Sequence, residues 1–208
     1  MDLARTMATV AAPSDAGQRL AGVALFVLAA GFMTVIMLGA SIAPGYDMGA
    51  AAISDLGMIP ETAILFNASL VLVGVLDVAG GVLFCGRRHP VLLAAFAAAG
   101  IGAIGAGVFP LDSGGPHGLF ALIAFLAFNL EAIGVATVLR GPMRVISVLA
   151  GTVGLVFVVL MAIGDGGNEA AFGVIGHGGT ERMIVYPAML WMLALGGYLM
   201  ARRVGGAD

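Results

Sequence analysis

Six predominantly apolar runs, each about twenty residues long, alternate along the chain with shorter polar segments: 20–40, 62–84, 91–109, 118–139, 145–164 and 183–201. As a helix rising 1.5 Å per residue, each run spans the roughly 30 Å of a bilayer's hydrocarbon core, so the pattern predicts six transmembrane α-helices. The third run contains Gly100, Gly102, Gly105 and Gly107. Such a density would break a helix in water, but between helices in lipid it lets backbones approach closely. Pro187, early in the sixth run, is expected to kink that helix and free a carbonyl that a neighbour must satisfy. Residues 1–18 are polar and rich in small side chains. The run after them is too long for a signal-peptide core and lacks a cleavage site, so they read as a retained tail.

The connections alternate in charge. Arg5 and Arg19 precede the first run, and Arg87, Arg88 and His89 separate the second from the third. Arg140 and Arg144 separate the fourth from the fifth, and Arg202 and Arg203 follow the sixth. All nine basic residues are arginine, and only Arg182 falls on the other side. The positive-inside rule makes the arginine side cytoplasmic, and an even number of spans puts both termini there. The opposite connections carry Asp47, Asp55, Glu61, Asp112, Asp165, Glu169 and Glu181. The expected architecture is an all-α integral membrane protein of the cell membrane. Cytoplasmic tails of residues 1–19 and 202–208 flank a six-helix transmembrane domain of residues 20–201.

Composition fits a chain that folds in lipid and removes several functions. Hydrophobic residues occupy 61% of the 208 positions and charged residues 10%, against about 25% charged in soluble domains. A net charge of −3, with no basic run longer than two arginines, argues against a nucleic-acid partner. Cys85 is the only cysteine, which leaves no intrachain disulfide and no CxxC pair, and its type suits a small core position. Without lysine, a retinal Schiff base or a lysine nucleophile is chemically impossible. His89, His117 and His177 all lie near run ends, whereas a haem-binding bundle needs paired axial ligands inside its helices, so neither haem nor retinal is expected.

The segment from Ala52 to Asn67 is the most motif-like. Gly57 supplies a turn, Ser54 and Asp55 can cap its backbone donors, and Pro60 or Glu61 suits the first turn of the second helix. The pattern of Ile53, Ser54, Asp55, Gly57, Pro60, Glu61 and Phe66 resembles the outer-loop signature of a six-span group. That group contains the damage-regulated autophagy modulators and the FGF-receptor-activating protein of GPI-lipid remodelling. It looks closer still to their prokaryotic relatives, domain-of-unknown-function family 998. Phe109-Pro110-Leu111-Asp112 followed by His117, and Gly179-Thr180-Glu181-Arg182 before the last run, are similar to that family's pattern over about residues 20–200. The resemblance implies the six-span fold and, through the better-known relatives, lipid handling. It brings no catalytic assignment.

Two constellations are candidates for chemistry. On the outer side Ser54, Asp55, Asp112, His117, His177, Glu181 and Arg182 come from all three connections. Converging, they would suit a divalent metal, an activated water or a lipid headgroup, with Asp112 and His117 as metal ligands or acid and base. Dispersed, they are caps, solvated side chains and a clasp in which Arg182 pairs with Asp55 or Asp112. His177, flanked by glycines, is expected to be mobile. Inside the membrane, Asp77 lies ten residues before Arg87 and Glu131 nine before Arg140. This spacing puts both acids at one depth, facing the interior, as a shared-proton or cation site or as neutral hydrogen-bonding groups. Three functions are compatible with these features. The first is a lipid-interacting protein or accessory subunit, with membrane lipids, a protein partner or a second copy as partners. The second is a lipid hydrolase or transferase using the outer Asp/His site, and the third a proton-coupled transporter using Asp77 and Glu131.

Overall fold

A computed structural model of the protein describes residues 15–201. Six helices account for most of it: α1 (Asp15–Ile42), α2 (Ala63–Cys85), α3 (Pro90–Val108), α4 (Gly115–Ala136), α5 (Gly141–Asp165) and α6 (Gly176–Ala201). All six are long and apolar enough to cross a membrane, and no strand occurs among the described residues. The connections α1–α2, α3–α4 and α5–α6 contain short 3-10 segments, Ile53–Gly57, Leu111–Ser113 and Glu169–Ile175. They form what is called here the acidic end, and Arg87, Arg88, Arg140 and Arg144 mark the arginine end.

The helices coincide with the six apolar runs except at two starts. α1 begins at Asp15 rather than near residue 20, and Gln18, inside it, donates to the Phe84 carbonyl of α2 at 3.0 Å. α6 begins at Gly176, seven residues before the apolar run, so His177, Glu181 and Arg182 stand on a helix rather than in a loop. Apolarity alone misses this first stretch because its polar side chains find partners inside the fold. Residues 1–14 and 202–208, which include most of both expected tails, lie outside the described residues.

Each helix packs on its neighbours in sequence, α6 closes the ring against α1, and α6 also reaches across to α4. The glycines of α3 make its two contacts close. A Cβ on Gly100 would lie 2.6 Å from the Gly74 carbonyl oxygen of α2, and one on Gly102 would lie 2.6 Å from the Ala124 nitrogen of α4. Only a hydrogen fits at either crossing. Inside the ring Phe32, Phe66, Phe96, Phe128, Trp191 and Met192 form one apolar core. Outward, Met37, Ile64, Val91, Val145 and Val159 are exposed, a continuous apolar belt that water would not tolerate and lipid matches. Buried polar groups are tied to backbone or to each other. Trp191 Nε1 donates to Ser147 Oγ at 2.8 Å, which donates to the Met143 carbonyl at 2.7 Å. Near Pro187, Asn129 of α4 donates to the Ile184 carbonyl of α6 at 3.2 Å, one residue on from the Met183 carbonyl that the proline leaves without its helical donor.

Candidate functional site at the acidic end

The chain from Ala52 to Asn67 folds as local chemistry dictates, but its two capping candidates part ways. Asp55 caps the 3-10 segment, its Oδ2 accepting from the Ala52 amide at 2.8 Å. Ser54 does not cap. Its hydroxyl donates across the fold to Glu181 Oε1 at 3.0 Å, while Glu181 Oε2 accepts from the Ile53 amide. Gly57 sits where a Cβ would meet Asn67 Oδ1 at 2.5 Å, and Asn67 Nδ2 donates to the Gly57 carbonyl at 3.0 Å. The Gly and the Asn of the segment therefore form one contact. α2 starts at Ala63 rather than at Pro60 or Glu61, because the amides of Thr62 and Ala63 both donate to the Ile59 carbonyl and close a turn first.

Arg182 pairs with neither Asp55 nor Asp112. Its Nη1 donates to the main-chain carbonyls of Met48 (2.7 Å), Ala51 (3.1 Å) and Gly178 (2.8 Å), and its Nη2 to Tyr46 Oη at 2.5 Å. Tyr46 passes its own proton to the Ala52 carbonyl at 2.7 Å, and the guanidinium carbon lies 5.6 Å from the centre of its ring. Burial pushes the Tyr46 phenol above its ordinary range against the lowering effect of Arg182, so the hydroxyl keeps the proton it donates. A planar fork of donors is well matched to a turn of inward-facing carbonyls, and that match overrides the attraction of exposed carboxylates. Asp112 is exposed, lines neither cavity described below, and offers its amide to Met58 Sδ at 3.2 Å.

The remaining candidates surround a cleft of about 460 Å³ between α4, α5, α6 and the Ile53–Gly57 segment. Asp165 and His177 stand at its rim, with His177 Nε2 3.3 Å from Asp165 Oδ1 and its ring edge-on to Phe172. These two contacts and the helical backbone fix His177, which the surrounding glycines had suggested is mobile. Ser54 and Asp55 form another wall, and His117 and Glu181 lie at the base. Leu122 and Val158 carry the cleft along α4 and α5. Val158 is seven residues from Asp165, so the cleft descends about 10 Å below the helix end. At its base Ser54, His117, Phe125 and Glu181 also line a smaller cavity of about 60 Å³, whose other walls, among them Phe32, Val73, Phe128 and Met189, are almost wholly apolar.

His117 is only 4% exposed. Its Nδ1 lies 2.8 Å from the Phe109 carbonyl, which can only accept, so Nδ1 carries a proton, and in that tautomer the lone pair is on Nε2. Nε2 is buried and has no hydrogen-bond partner. The expected partnership of Asp112 with His117 is not made, because the Phe109 carbonyl takes the nitrogen and Asp112 points to the surface. Among the described residues no three His, Cys, Asp or Glu side chains are grouped as a metal centre.

Farther toward the arginine end, Asp77 of α2 and Glu131 of α4 are both fully buried and close enough to influence one another electrostatically. None of their four carboxyl oxygens has a hydrogen-bond partner. Asp77 follows the cavity wall residue Val73 by one helical turn, and Glu131 follows Phe128 by three residues, so the pair lies just below the cavity floor. Burying two carboxyl groups away from water is costly, so the pair stands out among the polar residues of the bundle.

Two participants escaped the sequence reading. Tyr46 is the one aromatic in a loop rich in Gly and Ala, and an aromatic with a polar tip is the available signal. Asp165 counted only as one acid among several, because the C-terminal end of α5 gives no sign of which way it points. No curated protein and no solved structure matches the chain. The match that does exist is to a family model described as a protein of unknown function, DUF998, and it covers residues 20–198, from α1 through nearly all of α6. The polar residues of the acidic end and the buried acid pair thus all fall within a multi-pass membrane protein that belongs to the DUF998 family.

Proposed function

We propose that the protein binds an amphiphilic lipid, with the polar head in the acidic-end cleft and a chain against α4 and α5, acting as a lipid binder or an accessory subunit rather than through its own catalysis. One observation carries this reading: a cleft of about 460 Å³ is polar at its rim and base, apolar along α4 and α5, and shares its base residues Ser54, His117 and Glu181 with an apolar cavity inside the bundle. That volume lies within the several hundred Å³ typical of small-molecule sites, and its polarity gradient follows the water-to-lipid direction. The resemblance of the Ile53–Phe66 segment to the loop signature of the autophagy modulators and the GPI-remodelling protein supports lipid handling. The arginine asymmetry supports a topology with both termini in the cytoplasm and the cleft on the outer side of the cell membrane.

Gly118 on α4 lines the cleft, and a Cβ added there meets nothing within 4 Å. Gly118→Leu therefore fills the cleft without disturbing the packing, and replacing a helical glycine favours the helix by roughly 0.5–1 kcal/mol. Native mass spectrometry of the protein released from its membrane should show a bound lipid, and the Gly118→Leu protein should lose it while melting no lower. A wild-type protein free of lipid, or a filled variant that keeps it, would refute the proposal.

A further inference from the structure

Among the side chains that line the base of the cleft, the hydrogen bonds leave acceptors and no free donor. Glu181 is fully buried and uses one lone pair on each oxygen for Ile53 and Ser54. Ser54 spends its only proton on Glu181, so its oxygen can otherwise only accept. His117 spends its proton on Phe109 and presents a bare, buried Nε2. Around these, Asp55 and Asp165 add two more carboxylates, and the only other polar side chain, His177, is turned to Asp165. The chain has no lysine, and the one arginine nearby gives its Nη donors to Met48, Ala51, Gly178 and Tyr46. A buried acceptor without a donor is costly, and His117, whose Nε2 is in that state, lines both the cleft and the cavity.

From this pattern we infer that the cleft selects an amphiphile whose head is a hydrogen-bond donor bearing positive charge, an alkylammonium-type group, and disfavours anionic heads such as sulfate or phosphate. An ammonium offers three N–H donors to Glu181, Ser54 and His117 at once. A phosphate oxygen would meet only lone pairs and carboxylates. This selectivity rests on the proposed amphiphile site.

The test uses the full chain in a neutral maltoside detergent and three probes of one chain length below their micellar concentrations: dodecylammonium, dodecyl sulfate and dodecanol. Competition against radiolabelled dodecylammonium reads their relative affinities. The ammonium should bind at least about tenfold more tightly than the sulfate, since one charge-assisted hydrogen bond in a dry site is of that order. His117→Phe removes the lone pair without changing charge and should cut ammonium affinity several-fold while leaving dodecanol unchanged, which general attraction to an acidic face would not produce. Asp165→Asn, at the exposed rim and therefore safe for folding, should narrow the ammonium–sulfate gap. Equal affinities, or preference for sulfate, would overturn the inference and leave the amphiphile site standing. Binding of none of the three would overturn both.

Discussion

Replacing Arg182 with glutamine tests whether the acidic end is held by its guanidinium. The side chain is 7% exposed and makes four hydrogen bonds, three of them to carbonyls. Two of those carbonyls, Met48 and Ala51, belong to the α1–α2 connection, so the arginine fastens that loop to α6 and thereby sets Ser54 opposite Glu181. Hydrogen bonds involving a charged group contribute about 1.5–3 kcal/mol each. Met48 is at the surface, so water can replace the arginine there, and glutamine retains one amide donor. Counting two bonds at the low end gives a loss of about 3 kcal/mol, or a fall in melting temperature of roughly 6–12 °C for a chain of this size. Trp191, buried on α6, reports unfolding by its fluorescence in detergent. Arg182→Lys should lose an intermediate amount, because one ammonium cannot serve both the carbonyls and Tyr46. If Arg182→Gln melts within about 2 °C of the wild type, the clasp does not hold the loop.

Two further outcomes follow from the same reasoning. Asp77→Leu and Glu131→Leu should each be strongly destabilising because the surviving acid is left buried and alone, whereas the double substitution should cost at least about 1 kcal/mol less than the sum, as chemical denaturation of all four proteins would measure. Additive losses would remove the pairing. In a Cys85→Ala background, cysteines at Gly115 and Asn168 should react with an impermeant maleimide from outside and one at Thr137 only after permeabilisation. Asn168 is preferable to neighbouring Gly167, whose φ of +106° a cysteine would strain. The reverse labelling pattern would invert the topology.

The fold was legible because one period of information suffices for it. A bilayer demands about twenty apolar residues per crossing, and the six runs from residue 20 to 201 satisfy that demand without reference to one another. Depth was legible too: counting from Arg87 and Arg140 brings Asp77 and Glu131 level. The partners of the outer residues were not. Glu181 and Arg182 are adjacent in sequence and on one helix, yet one faces the cleft and the other the loop. Only the 3.6-residue repeat, together with a helix start at Gly176 that hydropathy does not mark, separates them. The choice of Arg182 for carbonyls over carboxylates depends on where the 46–51 backbone turns, and no pairwise charge rule contains that. Asp112 and His117 lie five residues apart, but His117 opens inward from α4 while Asp112 sits on the exposed turn before it.

Which polar residues are structural and which await something else can be read from how completely their hydrogen bonds close. Asp55, Asn67, Thr62 and Ser147 each satisfy a backbone group nearby. Arg182 and Asn129 leave one buried atom each without a partner, but their other atoms are fully engaged in joining elements, which explains why they are there. His117, Asp77 and Glu131 are different. His117, with its unmatched Nε2, lines the cavity, and none of the four carboxyl oxygens of the two acids has a hydrogen-bond partner. In a medium without water, apolar residues of similar size replacing Asp77 and Glu131 together would avoid the cost of burying two carboxyl groups, so folding alone does not explain the pair. His117 lines the cavity from the acidic end, and Asp77 and Glu131 lie one turn beyond its wall residues Val73 and Phe128, toward the arginine end, so the three polar groups that folding explains least border one space.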